Sequence, residues 1–243
     1  MRIGIFSDVH SNLEALQSAL SFFLEKKVRQ YLIIGDFVGY GANPNECIDL
    51  IKKLDCICVA GNHDYAVLDK TDIRNFNDAA KAAIMWTKTK LTKESKEFLE
   101  TLPLQISVNQ KLLVHSTPQN PANWEYIFTL KQGQSEFYFF KEQICFIGHS
   151  HSPFVVEKNQ LKNEYKVINE QKFKIKEKSR YIINVGSVGQ PRDGDARACL
   201  VLFDRLTKYI EFKRIEYDVK SAQHKIVQAG LPTILAKRLA EGK

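Results

Sequence analysis

Residues 2–16 read Arg2-Ile3-Gly4-Ile5-Phe6-Ser7-Asp8-Val9-His10-Ser11-Asn12-Leu13-Glu14-Ala15-Leu16, and this stretch decides the fold. Its first part is a short apolar run with isoleucine at alternating positions, the period of a strand. Leu13, Leu16, Leu20, Phe23 and Leu24 then recur at helical spacing. Ser11 and Glu14 make an S-x-x-E pattern expected to cap that helix. The opening unit is thus strand, loop, helix, and the loop carries an aspartate and a histidine.

The unit repeats. Residues 31–35 are strand-like and lead through a glycine-bearing loop into a helix entered at Asn43-Pro44-Asn45-Glu46. There Asn43 is expected to cap and Pro44 suits the first helical position. Residues 56–60 make a third strand. Residues 72–102 read as mostly helical, with Ala79, Ala80, Ala82 and Ala83 in a first helix and a second around residues 93–99. Short β-rich runs return at residues 111–115, 144–148 and 181–185, and residues 154–203 read as a series of hairpins. The last segment, 219–239, is helical with an interruption at Gly230-Leu231-Pro232. The expectation is an α/β protein with one domain over residues 1–243: a core to about residue 205, a helical insertion at about 72–102 and a helical tail at about 219–239.

With 44% hydrophobic and 26% charged residues, the composition excludes disordered and fibrous classes. Asp8 interrupts the first apolar run too early for a secretory leader, and no stretch is apolar for long enough to span a bilayer. A cytoplasmic protein with no membrane association is expected. The five cysteines, Cys47, Cys56, Cys58, Cys145 and Cys199, are odd in number and contain no C-x-x-C pair, so buried free thiols are expected. The formal net charge of +7 suits an anionic substrate and is compatible with nucleic acid. Much of the excess is lysine scattered through residues 158–180 among Glu and Asn, the pattern of a solvated surface.

Six segments place polar, mostly metal-competent side chains directly after expected strands: Asp8-Val9-His10, Gly35-Asp36, Gly61-Asn62-His63-Asp64, His115, Gly148-His149-Ser150-His151, and the loop from Gly186 to Arg192. Ligands of open α/β sheets bind at the carboxyl ends of strands, so all six can converge on one edge. Five of the six histidines lie in these segments; only His224 lies elsewhere. Mixed imidazole, carboxylate and amide donors suit borderline divalent ions, and the absence of nearby thiolates argues against a structural zinc. Taken singly, Asp8-Val9-His10 or Gly35-Asp36 is explained as well by a polar loop. Two histidines one residue apart at a strand end are harder to explain by packing.

In order along residues 8–151, D-x-H, G-D, G-N-H-D, H and G-H-x-H resemble the motifs of calcineurin-like metallophosphoesterases. The chain is similar in particular to compact bacterial and archaeal members, in residues 35–41, 184–192 and 230–232. The resemblance implies a four-layer αββα sandwich of two mixed β-sheets flanked by helices. It also implies two divalent metal ions per chain: Asp8, His10 and His151 on one, Asn62, His115 and His149 on the other, and Asp36 bridging both. Manganese is expected, with iron, zinc or nickel as alternatives.

A hydroxide bridging two ions about 3.5–4 Å apart is then the expected nucleophile, formed near neutral pH because the metals lower the pKa of bound water. By the same resemblance His63 protonates the leaving group, a role typically worth ~10²–10⁴-fold. Asn62 and Arg192 are the candidate substrate contacts; the Arg192 guanidinium suits a phosphate oxygen, and a surface pair with Asp193 or Asp195 is the competing reading. Trp124 and Tyr126 can stack on a base or simply pack. Relatives that dephosphorylate phosphoserine and phosphothreonine, or cleave dinucleoside tetraphosphates, carry Asp and Arg where this chain has Gly39 and Tyr40. That departure leaves the orienting partner of His63 open, with Asp64 the sequence-adjacent candidate.

The expected activity is metal-dependent hydrolysis of a small or nucleotide phosphodiester. The alternatives are a phosphomonoesterase or dinucleoside polyphosphate hydrolase and, outside that class, a metal-binding scaffold or a nuclease. An intact ligand set and His63 speak against a scaffold, and the lack of an appended DNA-binding domain speaks against a nuclease.

Overall fold

Strand β1 (Arg2–Phe6) turns Ile3 and Ile5 to one face and Phe6 to the other. Strand β2 (Gln30–Ile34) repeats this, with Leu32 and Ile34 opposed to Tyr31 and Ile33. A strand's side-chain period of two therefore feeds two separate cores. One core lies between two sheets; the other lies between a sheet and its helices. The structure, a computed structural model, describes residues 2–243.

The first sheet also contains β3 (Cys56–Val59), β9 (Lys172–Lys174), β11 (Ala198–Asp204) and β12 (Tyr209–Ile215), in the order β3-β2-β1-β11-β12-β9. The second is ordered β4-β5-β6-β10-β7-β8 and comprises β4 (Gln105–Val108), β5 (Lys111–Val114), β6 (Ile144–Ile147), β7 (Phe154–Asn159), β8 (Glu164–Val167) and β10 (Ser179–Asn184). Both sheets are mixed: β1, β2 and β3 run parallel, as do β5, β6 and β10, while the remaining pairings are antiparallel. Ile5, Ile34, Phe146, Tyr181 and Val201 fill the space between the sheets. Each fully buried aliphatic or aromatic side chain there contributes roughly 1.5–3 kcal/mol.

On the outer face of the first sheet pack α1 (Leu13–Glu25), α2 (Pro44–Lys52), α3 (Asn62–Val67), α4 (Asp78–Lys90) and α5 (Lys93–Glu100), through Leu16, Phe23, Ile48, Ile51, Val67, Ile84 and Leu99. On the outer face of the second, Val114, Cys145, Ile147 and Ile182 meet Ile127, Phe137 and α6 (Leu130–Glu136). This is the four-layer αββα sandwich. The tail forms α7 (Val219–Gln228) and α8 (Thr233–Glu241); Ile226 of α7, Leu231 of the turn between them, and Leu235 and Leu239 of α8 pack with Ala80 and Ala83 of α4 around Tyr40.

Several local expectations are corrected. Helix α1 is capped by Asn12, whose Oδ1 accepts from the Ala15 N–H at 3.1 Å, and the Ser11–Glu14 box does not form. The reason is tertiary: Ser11 has a left-handed backbone (φ 54°) and donates its N–H to Phe37 O, while Glu14 pairs with Lys225 of α7. Asn43 sits at the start of α2, but its side-chain amide donates to Glu46 Oε1 at 2.8 Å rather than accepting from the helix. Residues 154–203 are not a run of hairpins. Only β7 and β8 pair locally; β9 and β11 join the first sheet and β10 the second, because the chain alternates between the two layers.

Candidate metal centre

The three parallel strands of each sheet end on one edge of the sandwich, and each is followed by one of the six segments. Asp8 and His10 follow β1, Asp36 follows β2, Asn62 and His63 open α3 after β3, His115 follows β5, His149 and His151 follow β6, and the 186–192 loop follows β10. The first two loops are laced together by backbone bonds: Asp8 N–H to Gly35 O, His10 N–H to Asp36 O and Ser11 N–H to Phe37 O, each 3.0 Å. The sharp turns place Asp8, His10, Asp36, His149 and His151 at φ between 48° and 68°. Left-handed backbone is uncommon for non-glycine residues and concentrates at functional sites.

Two groups of donors result. In one, ligand atoms of Asp8, His10, Asp36 and His151 lie within 4.8 Å of one another; in the other, those of Asp36, His115 and His149 do. Asp36 belongs to both. All of these residues are buried. His10 Nδ1 faces Val38 O at 3.0 Å, His115 Nδ1 faces Ile34 O at 2.6 Å, and His151 Nδ1 faces Gln190 O at 2.5 Å. A carbonyl only accepts, so each of these nitrogens carries the proton and Nε2 is turned to the cluster. His149 is reversed: its Nε2 donates to Trp124 O at 2.8 Å, leaving Nδ1 as the donor atom. A carbonyl on the far nitrogen is the usual support of a metal-bound imidazole.

The chemistry of the donor set fits divalent cations. Asp8 Oδ1, Asp36 Oδ2, Asn62 Oδ1 and His115 Nε2 are buried without a hydrogen-bond partner, although buried polar atoms are nearly always satisfied. These open atoms fall at the two groups that share Asp36, with Asn62 lining the adjoining cleft. Burial disfavours charge on Asp8, but His151 and His115 nearby hold its carboxyl well below the usual range; Asp36 is lowered likewise, with His115 and His63 outweighing its burial. Burial also opposes a charged His115, yet Asp36 at 3.2 Å and Asp8 at 3.9 Å push its pKa up to about 10. Burial and the His115 charge push His149 down to about 3; burial and Arg192 push His151 down to about 4. A cation taking the Nε2 of His115 would displace its proton, so metal uptake is linked to proton release.

Beside the donors lies a cleft of about 460 Å³ lined by Asn62, His63, Phe76, Trp124, Tyr126 and Arg192, with Lys70 and Asn75 among its other wall residues. The His63 ring is held between Tyr40 (centroids 4.4 Å apart) and Phe76 (5.4 Å), with His10 edge-on at 4.8 Å. Its Nδ1 is buried without a partner, and burial holds its pKa well below the usual imidazole value. Gly39 has φ +89°, and a Cβ there would lie 2.4 Å from His63 Nδ1, so glycine is what makes room for the ring. Asp64 is not the partner of His63. Its carboxylate accepts the backbone N–H groups of Asp36, Phe37, Val38 and Gly61 at 2.8–3.3 Å, tying the second site loop to the third.

Arg192 extends over Tyr40 at 5.6 Å and donates from Nη2 to Gln190 Oε1 at 2.9 Å, while its buried Nε has no partner. The surface pairing considered for it is absent among the described residues: Asp193 pairs with Arg214, and Asp195 with Arg197 and Arg214. Trp124 donates from Nε1 to Thr71 Oγ1 at 3.1 Å, and Tyr126 stacks on His149 at 4.1 Å. Phe76 and Lys70 carried no signal in the sequence, because their surroundings read as loop and helical insertion with nothing to aim them at the site.

The family model described as a calcineurin-like phosphoesterase superfamily domain matches residues 1–207, and the chain belongs to that family. It is 43% identical over 246 residues to the uncharacterized protein MJ0912 of Methanocaldococcus jannaschii, across 99% of this chain and 98% of that protein. Among solved structures it is similar to a metallophosphoesterase from Sphaerobacter thermophilus, with a TM-score of 0.88 at 38% identity over 100% and 99% of the two chains. The hypothetical protein PH1004 from Pyrococcus horikoshii OT3 shares the fold, with a TM-score of 0.82 at 21% identity over 100% and 98%. No described helix is long and apolar enough to cross a membrane.

Proposed function

We propose that the chain hydrolyses a small phosphodiester, nucleotides included, with two divalent ions held by Asp8, His10 and His151, by Asn62, His115 and His149, and jointly by Asp36. The observation that carries this reading is the pair of donor groups sharing Asp36, with unpartnered ligand atoms beside an open cleft. Bound there, divalent ions supply a Lewis acid for phosphoryl oxygens and an activated water at neutral pH.

The residues of the chain do the rest. The phosphoester lies in the cleft with a phosphoryl oxygen on the Arg192 guanidinium, whose charge and fork geometry suit it. Asn62, which lines the same cleft, offers its side-chain amide to the phosphate. His63 turns Nδ1 into the Gly39 backbone, so Nε2 is the nitrogen that serves the cleft and hands a proton to the departing oxygen. Phosphoester negative charge beside this ring raises its proton affinity and counters its burial. A cleft of about 460 Å³ whose lining includes Trp124, Tyr126 and Phe76 has room for organic groups beyond a phosphate, which favours a diester over a monoester.

The test is hydrolysis of bis-p-nitrophenyl phosphate and p-nitrophenyl phosphate by metal-stripped protein refilled with manganese. Turnover that needs the ion and prefers the diester is the expected result. Stoichiometric metal binding with no turnover of either ester would reject the proposal in favour of a metal-binding scaffold.

A further inference from the structure

Two of the five cysteines stand apart from the others. Cys47, Cys145 and Cys199 are fully buried, whereas Cys56 and Cys58 are only partly buried on β3, the edge strand of the first sheet. Being two residues apart in a strand, they share a face, the one toward the helical layer, while Ile57 and Val59 face the other sheet. Their sulfurs are 3.4 Å apart. The Cys58 thiol donates to Cys56 Sγ, and Cys56 Sγ lies 3.7 Å from Ile51 O.

From this geometry we propose that Cys56 and Cys58 form a dithiol site that chelates a single thiophilic centre of pyramidal geometry, trivalent arsenic being the type. At the ~2.3 Å bond length of a soft metal–thiolate bond, sulfurs 3.4 Å apart subtend an angle of about 95° at the shared atom. That angle matches a pyramidal centre and excludes a linear two-coordinate one. A disulfide fits less well. It needs sulfurs ~2.05 Å apart, and alternate residues of an extended strand, at ~3.3 Å rise each, place their Cα atoms near the ~6.8 Å upper limit for such a bond. A larger bridging atom closes the ring without bending β3. The hydrogen bond from Cys58 also favours the thiolate at Cys56, which is the attacking species.

The reaction with phenylarsine oxide balances without any redox partner. Two S–H bonds and the arsenic–oxygen bond break, two As–S bonds form, the two thiol protons leave with the oxide as water, and arsenic stays trivalent. Neither sulfur belongs to the metal centre, so the site stands or falls independently of the phosphoesterase reading.

The experiment incubates the full native chain with one equivalent of phenylarsine oxide, then alkylates with iodoacetamide and maps the modified cysteines by peptide mass. The expected result is one phenylarsenic per chain, protection of Cys56 and Cys58 together, and release by a small competing dithiol. Cys58→Ser and Cys56→Ser should each weaken retention by about 100-fold, because a single thiol loses the effective concentration of the second. Alkylation of both cysteines in the native protein despite the arsenical would overturn the proposal without recourse to any variant. So would retention unchanged in either serine variant.

Discussion

Two buried carboxylate sites in this molecule are treated in opposite ways. In β7, Glu157 is 2% exposed and both of its oxygens are occupied: Oε1 accepts from Lys176 at 3.0 Å, Ser179 at 2.7 Å and Tyr181 at 3.2 Å, and Oε2 faces Lys176 at 3.3 Å and Lys166 at 3.4 Å. Asp8 and Asp36 at the strand ends are as deeply buried, yet each leaves one oxygen without a donor. A buried carboxylate with an unsatisfied oxygen is costly, so a fold that needs it only for structure supplies the donors, as it does for Glu157. Where an oxygen is left open beside imidazole nitrogens turned to the same space, the donor set suits a cation from outside the chain.

The sharpest way to break this contrast is Asp36→Asn, which removes the one donor common to both groups. It should lower kcat/KM by about 10³-fold or more, or ~4 kcal/mol of transition-state stabilisation, and reduce bound manganese measured by atomic absorption. Normal metal content with full activity would show that the open oxygen on Asp36 has no functional meaning.

His63→Ala comes next. It should cost ~10²–10⁴-fold in kcat while leaving metal stoichiometry intact, since His63 stands outside both donor groups. A parallel loss of metal would move His63 into the ligand set.

Phe76→Ala removes one wall of the aromatic clamp around that ring. An activity drop of about tenfold, ~1.4 kcal/mol, is expected in kcat rather than KM, because a loosened general acid affects the transition state more than binding. An unchanged kcat would mean that Tyr40 alone positions the ring.

Glu157→Gln, at the structural end of the comparison, should leave activity unchanged and lower stability by about 1–2 kcal/mol at pH 7. Burial opposes the Glu157 charge, but Ser179 and Lys176 outweigh it and hold the folded pKa below the ordinary value. A lowered pKa gives stability that is present above the unfolded value of about 4.3 and is lost as pH falls through the folded one. The gap between wild type and variant in urea midpoint should therefore close below about pH 4. A gap that persists in acid would assign the effect to packing.

Much of the site was legible because its chemistry recurs in short blocks. Asp8, His10, Asp36, His115, His149 and His151 each follow a short apolar, β-rich run that reads as a strand, and parallel strands bring their carboxyl ends to one edge. Arg192 was legible as a side chain but not in its pairing, since the competing arginines, Arg197 and Arg214, are called to Asp195 and Asp193 by strands β11 and β12. The β-rich stretch from residue 154 to 203 misled because hairpin spacing is a local signal, while the sheet a strand joins depends on which face its neighbours leave open.

By itself, then, the sequence determined the strand-loop-helix repeat and the family and offered the candidate donor side chains, because these rest on periodicity and on which atoms can bind a cation. Only the tertiary structure decided which imidazole nitrogen each histidine presents, and that Tyr40 and Phe76 rather than Asp64 hold His63. Those choices are made by carbonyls and rings that arrive from distant parts of the chain, and no local pattern encodes where they meet.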